Sequence, residues 1–150
     1  MKKLILAVFL MAISSSSFAV DLIIGGWSTH GDQDQYDDLN TTHDALGFIL
    51  DNGFTAFTFN NSFYEQSYVL GYTKKFKQYN HEKYNISTSI VMGVVHGYTK
   101  VQADVSYIGG DLALYLLPTI TVGYGKFKMD TGFTIAFDKP LITNSFRYEF

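Results

Sequence analysis

Apolar and polar side chains alternate with a period of two over most of the chain after residue 19. The last segment shows this best, since Phe146, Tyr148 and Phe150 share one face while Arg147 and Glu149 share the other. Successive side chains of a β-strand point to opposite faces, so this period predicts strands rather than helices. After residue 19 no run approaches the roughly 18 apolar residues of a transmembrane helix. The fold is therefore predicted to be all-β.

Eight runs of this kind are predicted as strands. They lie at 22–30, 43–51, 54–62, 66–76, 85–98, Leu112–Tyr124, 127–137 and 145–150. The first run alternates less cleanly than the others. A membrane-spanning strand needs about 9–11 residues, and eight of them fit the length of the chain. An even strand number is also what a closed, single-chain outer-membrane barrel requires.

The predicted connections differ in length. Short joints are expected at 51–53, where Asn-Gly favours a primed turn, at 125–126 and at 138–140. Longer polar loops are expected at 31–42 and 100–110. Short turns at one end and longer loops at the other are typical of an outer-membrane barrel.

Aromatic residues make up 17% of the chain, crowd the apolar face, and resemble the girdles of membrane barrels. The other face carries Gly, Ser, Thr, Ala and a few charges, which suits the narrow interior of eight strands. The terminal aromatic Phe150 resembles the signal that the barrel insertion machinery recognises. We predict an eight-stranded antiparallel up-and-down transmembrane β-barrel over residues 20–150. A soluble periplasmic β domain binding a small apolar ligand is the alternative.

Residues 1–19 are predicted to be a cleaved secretory signal peptide. Lys2 and Lys3 precede a run of about ten apolar residues, and Ser17-Phe18-Ala19 offers small residues for cleavage. The run is short for a membrane anchor, which is the other interpretation. The predicted location is the outer membrane of a Gram-negative bacterium, reached through the periplasm.

Charge and cysteine content exclude several classes of function. Eleven Lys and Arg against fourteen Asp and Glu leave no basic excess, so nucleic acid is not expected as a partner. The chain has no Cys, which excludes a disulfide scaffold and a cysteine-ligated zinc site. An eight-stranded barrel is also too narrow for an aqueous channel.

Several polar residues are predicted to meet at one rim of the barrel. His30 ends the first strand, Asn61 and Ser62 end the third, and His43 and Asp44 open the second. A Ser and a His near one another support acyl transfer, with His as base and Ser as nucleophile or positioning group. Such residues are also ordinary at rims and in turns, where they face water.

Pro118 lies inside a predicted strand. Proline has no backbone N–H and therefore breaks one hydrogen bond of the ladder. Pro118 is either a tolerated defect at a bulge or a gap in the wall.

Three segments resemble the lipid A palmitoyltransferases of Gram-negative outer membranes. They are Leu22–His30, Ala56–Ser62 followed by Gly71-Tyr72, and Leu116-Leu117-Pro118 followed by Val122–Gly125. The resemblance implies a barrel that moves an acyl chain from phospholipid to lipid A in lipopolysaccharide, with no metal or soluble cofactor, as a monomer. His30 and Ser62 are then the family's histidine and serine, and Pro118 opens a lateral gap for lipid.

The chain departs from this family at several positions. Asn61 stands where the family has Asp and is expected to orient a neighbour or donate to an oxyanion. Asp37 and Asp44 are the candidates to replace the carboxylate. Gly25 replaces a proline, so a second lateral gap is expected to be absent. Thr73, two residues after Gly71, replaces a pocket-floor glycine and is expected to shorten the acyl pocket. The family's N-terminal amphipathic helix is missing.

A non-catalytic barrel is the competing hypothesis. Its extracellular loops would bind a partner, as in adhesion, resistance or phage-exclusion barrels. The loop at 31–42 is acidic and suits a cationic partner or a divalent ion, although a solvated loop has the same composition. Its acids are Asp32, Asp34, Asp37 and Asp38.

Overall fold

The computed structural model describes residues 19–31, 39–103, 106–136 and 139–150 and shows a closed antiparallel β-barrel. Its elements, in chain order, are β1 (Val20–His30), β2 (Thr42–Leu50), β3 (Phe54–Asn60), β4 (Gln66–His81), β5 (Tyr84–His96), α1 (Lys100–Ala103), β6 (Tyr107–Gly109), β7 (Leu112–Tyr124), β8 (Phe127–Ala136) and β9 (Lys139–Glu149). The predicted signal peptide lies outside the described residues, apart from Ala19.

Eight strands form the barrel and each pairs with its neighbours along the chain. β1 pairs with β9, and β5 pairs with β7, which closes the wall. The three-residue β6 only extends the end of β7. The predicted eight-stranded up-and-down barrel is confirmed.

The two ends of the barrel differ. The turns at 51–53, 82–83 and 125–126 lie at one end, here called the turn end. Gly53 and Gly125 have φ of 88° and 59°, the left-handed conformation that a tight turn requires. His30, Asn60 and His96 end their strands at the opposite end, here called the mouth end.

Two expectations about the connections are wrong. The joint at 138–140 does not belong with the short turns of the turn end, because Leu141 pairs with His30 at the mouth end. Alternate strands run in opposite directions, so the connection after β8 must return at the mouth. The predicted strand at 66–76 instead continues to His81 and turns at Glu82 and Lys83.

Large apolar side chains cover the outside of the barrel, and charged ones lie within it. Phe133 and Phe150 are 43% and 55% exposed, whereas Arg147 is 5% exposed. A soluble protein buries its large apolar residues and exposes its charges, so this arrangement is the reverse. No helix among the described residues has the length and apolar character needed to cross a membrane.

A network of ion pairs closes the turn end of the lumen. Arg147 binds both Asp21 and Asp130, and Lys128 Nζ lies 3.0 Å from Asp21 Oδ1 and 3.0 Å from Glu149 Oε2. Buried charges need such partners, since an unpaired one is costly to desolvate. The lumen therefore has a charged floor and opens towards the mouth.

Candidate active site

The mouth brings His30 and Ser62 together. His30 Nε2 lies 3.0 Å from Ser62 Oγ, and Ser62 is 7% exposed. β1 and β3 run in the same direction on either side of β2, so both end at the mouth. The Ser–His pair expected from the sequence therefore has hydrogen-bonding geometry.

A bulge at Gly25 sets the direction of the His30 side chain. Ile24 pairs with Phe146 and Gly26 with Ser145, so Gly25 is an extra residue in β1. One extra residue moves every later side chain of a strand to the opposite face. Gly25 takes φ of 62°, which glycine adopts without strain. Because of this bulge, His30 faces inward.

The bulge at Gly25 also bears on the prediction that this wall has no second lateral gap. The pairing of β1 with β2 and with β9 shifts between Ile24 and Gly26, but both ladders resume at Gly26. Gly25 and Gly26 line the lumen at this point. The wall is irregular here and its pairing continues beyond the bulge.

The second ring nitrogen of His30 has no partner. Nδ1 is enclosed and makes no hydrogen bond within the described residues. A histidine base is normally oriented by a hydrogen bond to its second nitrogen. That group is missing from the described part of the mouth.

Asn61 does not supply the missing hydrogen bond to His30 Nδ1. Its side chain is completely buried, and its Nδ2 donates to Ser67 Oγ at 3.1 Å and Gly97 O at 3.0 Å. Its Oδ1 accepts from the backbone N–H groups of Phe63 and Glu65 at 2.8 and 3.0 Å. Asn61 thus fastens the loop that carries Ser62, and these four partners occupy its amide.

Of the two carboxylates considered as replacements, the structure describes only Asp44. Asp44 is exposed beside His43. Asp37 falls outside the described residues, together with the other acids of the predicted acidic loop, so its position relative to His30 is not described.

A second Ser–His pair, which the sequence did not indicate, lies at the same mouth. His43 Nε2 is 2.8 Å from Ser28 Oγ, and His43 Nδ1 is 2.5 Å from the carbonyl oxygen of Asn60. A carbonyl only accepts, so Nδ1 carries a proton, and in the neutral ring Nε2 accepts from Ser28. Ser28 faces inward because of the Gly25 bulge, and only recognition of that bulge would have identified it.

A cavity of about 200 Å³ runs from this mouth into the lumen. His43 and Ser62 line its upper end, and Asp130 and Arg147 line its lower end. Thr73 lines it as expected, and its Oγ1 lies 2.6 Å from Thr55 Oγ1.

Gly71 serves the wall rather than the cavity lining. A Cβ placed on Gly71 would lie 2.4 Å from the backbone oxygen of Met92, and Gly71 pairs with Gly93. The two glycines let β4 and β5 approach closely.

The cavity opens through the wall beside Pro118. The ladder between β7 and β8 ends where Thr119 pairs with Gly132, and Pro118 is the next residue of β7. Beyond it Leu116 of β7 and Ile135 of β8, both on the outer face, border the cavity. Pro118 was interpreted either as a defect at a bulge or as a gap in the wall. The end of the β7–β8 ladder at Thr119 agrees with a gap.

Sequence comparison with models of known protein families and with curated proteins finds no match. The described residues contain no group of three His, Asp or Glu side chains arranged to hold a metal ion. The fold and site define a small closed β-barrel with an apolar outer surface, a laterally open lumen and a Ser–His pair at its mouth.

Proposed function

We propose that this chain is an outer-membrane acyltransferase that moves an acyl chain from a phospholipid to lipid A. The observation that carries the proposal is the contact between His30 and Ser62 above a cavity that opens through the wall. The sequence resemblance to lipid A palmitoyltransferases supports the same reaction.

The outer surface supports a membrane location. Phe133, Ile135 and Phe150 are among the apolar side chains that face outward, and hydrocarbon accepts such a surface without cost. A closed barrel satisfies its backbone groups between strands, as a bilayer requires. In this proposal the mouth faces the cell exterior, and Phe150 directs the chain to the barrel insertion machinery.

The gap beside Pro118 supports a lateral route for lipid. An acyl chain from the surrounding leaflet passes between Leu116 and Ile135 into the cavity. Phe57 and Val95 line this cavity with apolar surface, which stabilises a chain removed from water or headgroups. The hydroxyl pair of Thr55 and Thr73 narrows the lumen and limits the length of the chain.

His30 acts as the general base at Nε2. In one route it takes the proton of Ser62, whose oxygen attacks the ester carbonyl, and it returns that proton to the departing lysophospholipid oxygen. His30 then takes the proton of the lipid A hydroxyl, whose oxygen attacks the acyl-serine ester, and returns that proton to the departing Ser62 oxygen. In the other route His30 takes the proton of the lipid A hydroxyl, whose oxygen attacks the phospholipid ester directly, and returns the proton to the departing lysophospholipid oxygen. Ser62 then only holds the reacting groups in place.

Mass spectrometry of lipid A from expressing cells tests this proposal. We expect lipid A heavier by one acyl group, with that species lost in His30→Ala and strongly reduced in Ser62→Ala. His96→Ala is the matched control, since His96 also ends a strand at the mouth but is exposed. An unchanged lipid A profile with correctly inserted wild-type protein contradicts the proposal.

A non-catalytic barrel is the second candidate, and it is favoured because His30 Nδ1 has no hydrogen-bond partner among the described residues. In that case lipid A is unchanged by the wild-type protein, and exchange of the loop at 31–42 abolishes binding of a partner. Cell fractionation separates both candidates from a soluble β domain. A heat-modifiable band in the outer membrane supports a barrel, whereas recovery in the periplasm excludes both.

A further inference from the structure

Two tyrosine hydroxyls border the cavity without a hydrogen-bond partner in the described part of the chain. Tyr115 of β7 and Tyr98, which follows β5, both line it. Neither hydroxyl makes a hydrogen bond to another described residue, although both side chains border the free volume of the lumen. A phenol in such a place normally finds a hydrogen-bond partner.

A continuous row of rings leads from the mouth to these hydroxyls. His43 lies edge-on to Phe59 at 5.9 Å, Phe59 lies 5.8 Å from Phe57, and Phe57 lies 5.8 Å from Tyr115. An acyl chain held in the lumen therefore lies against an apolar wall between the mouth and the hydroxyl of Tyr115.

Four further hydroxyls line the cavity in the same condition. Ser89, Thr134, Thr143 and Ser145 make no hydrogen bond to a described residue. By contrast, Thr121 donates to Asp130 at 2.6 Å, so the free hydroxyls differ from those that belong to the barrel's own network. The lumen thus offers hydrogen bonds at several depths.

A saturated acyl chain satisfies none of these groups. It would cover the hydroxyls and remove their access to water, and a buried polar group without a partner is unfavourable. A chain that carries a hydroxyl both accepts from and donates to them. Burial raises the pKa of Tyr98, so its phenol remains a donor at neutral pH.

We propose that the lumen selects hydroxylated acyl chains over saturated chains of the same length, with Tyr115 and Tyr98 binding the chain hydroxyl. This rests on the proposed function for the identity of the occupant as an acyl chain. It adds the chemical class of that chain, which neither the fold nor the Ser–His pair specifies.

Native mass spectrometry of the detergent-solubilised full-length barrel tests the selection directly. The protein is mixed with equal amounts of octadecanoic acid and one of a series of its monohydroxy derivatives. We expect one bound acid and an excess of about fivefold for the best hydroxy acid, the effect of one net hydrogen bond. The position of the hydroxyl in that acid reports the depth of the tyrosines.

Conservative variants identify the groups responsible. Tyr115→Phe and Tyr98→Phe together should bring the ratio close to one, whereas the outward-facing, exposed Tyr124→Phe should leave it unchanged. Equal binding of the two acids by the wild-type protein, or binding of neither, overturns the inference. The inference is also overturned if Tyr124→Phe loses the preference for hydroxy acids as fully as the double tyrosine variant does.

The same experiment in a His30→Ala background separates this inference from the proposed reaction. Binding does not require the base, so the preference should persist in that variant. A preference that persists in both proteins, without any acyl transfer by the wild-type protein, refutes only the reaction. Transfer by the wild-type protein without a preference refutes only the selection of hydroxylated chains.

Discussion

His30 Nε2 lies 3.0 Å from Ser62 Oγ although 32 residues separate them in the chain. This contact depends on Gly25, because the extra residue in β1 turns His30 from the outer face to the inner one. A glycine some distance from the mouth thus determines which side of the wall carries the base.

Deletion of Thr29, which lies beyond the bulge, should therefore abolish acyl transfer while the barrel still forms. The deletion moves His30 into the outward-facing position of Thr29, opposite Ile142. Lipid A mass spectrometry measures transfer, and heat-modifiable electrophoresis reports folding.

Gly25→Ala is the matched control for the deletion. It keeps the bulge, and a Cβ there meets no atom within 4 Å. We expect a stability loss of about 1–2 kcal/mol from the left-handed backbone, with transfer retained. Transfer by the Thr29 deletion variant would show that an inward-facing His30 is not required.

Asn61→Asp should destabilise the protein rather than create a better catalyst. The carboxylate cannot donate to Gly97 O, which faces the amide nitrogen at 3.0 Å. We expect a loss of about 2 kcal/mol in the free energy of unfolding. Urea unfolding followed by Trp27 fluorescence measures it.

Asn52→Asp provides the comparison for that change. Asn52 uses its side chain only to accept from Phe54 N in an exposed turn, and a carboxylate accepts equally well. Little change in stability is expected. A stable Asn61→Asp variant with faster transfer would contradict the structural role of Asn61.

A disulfide across the wall should close the lipid route reversibly. Leu117 and Thr134 would be opposite each other if the ladder continued past Thr119 and Gly132. The chain has no other Cys, so Leu117→Cys with Thr134→Cys forms an isolated pair. Oxidation should reduce transfer at least tenfold, on the order of 1.4 kcal/mol, and reductant should restore it.

Val122→Cys with Met129→Cys controls for the presence of a crosslink. These residues already pair in the ladder on the outer face, so their disulfide leaves the gap as it is. Equal inhibition by both disulfides would mean that lipid does not enter beside Pro118.

Arg147→Met should be the most destabilising single change at the turn end. It leaves the buried Asp21 and Asp130 without their shared cation, which costs about 3–5 kcal/mol. Urea unfolding measures this loss. The exposed Lys126→Met should change stability by less than about 0.5 kcal/mol, and equal effects would exclude a supporting role for the network.

Alternation of side chains was sufficient to predict the barrel, because a wall with an apolar and a polar face leaves a period of two in the sequence. The last five residues of β4 were missed because Tyr79 stands alone among polar residues there and does not make an apolar face. Their pairing with β5 is set by the backbone.

The sequence predicted the His30–Ser62 pair of the site but not the groups that surround this pair. Strand direction placed His30 and Ser62 at one end, but spacing does not reveal that the amide of Asn61 is occupied within its loop. Ser28 was missed because a bulge reverses the faces beyond it. In the sequence, Tyr98 and Tyr115 cannot be told from the other aromatic residues of the barrel. Only the cavity shows that their hydroxyls have no hydrogen-bond partner among the described residues.

Acyl transfer by the purified protein tests the central claim most directly. The wild-type barrel is mixed with phospholipid labelled in its acyl chains and with unlabelled lipid A, and the products are separated. We predict labelled lipid A and lysophospholipid in equal amounts, with both lost in His30→Ala. Absence of labelled lipid A from a correctly folded wild-type barrel would contradict the account.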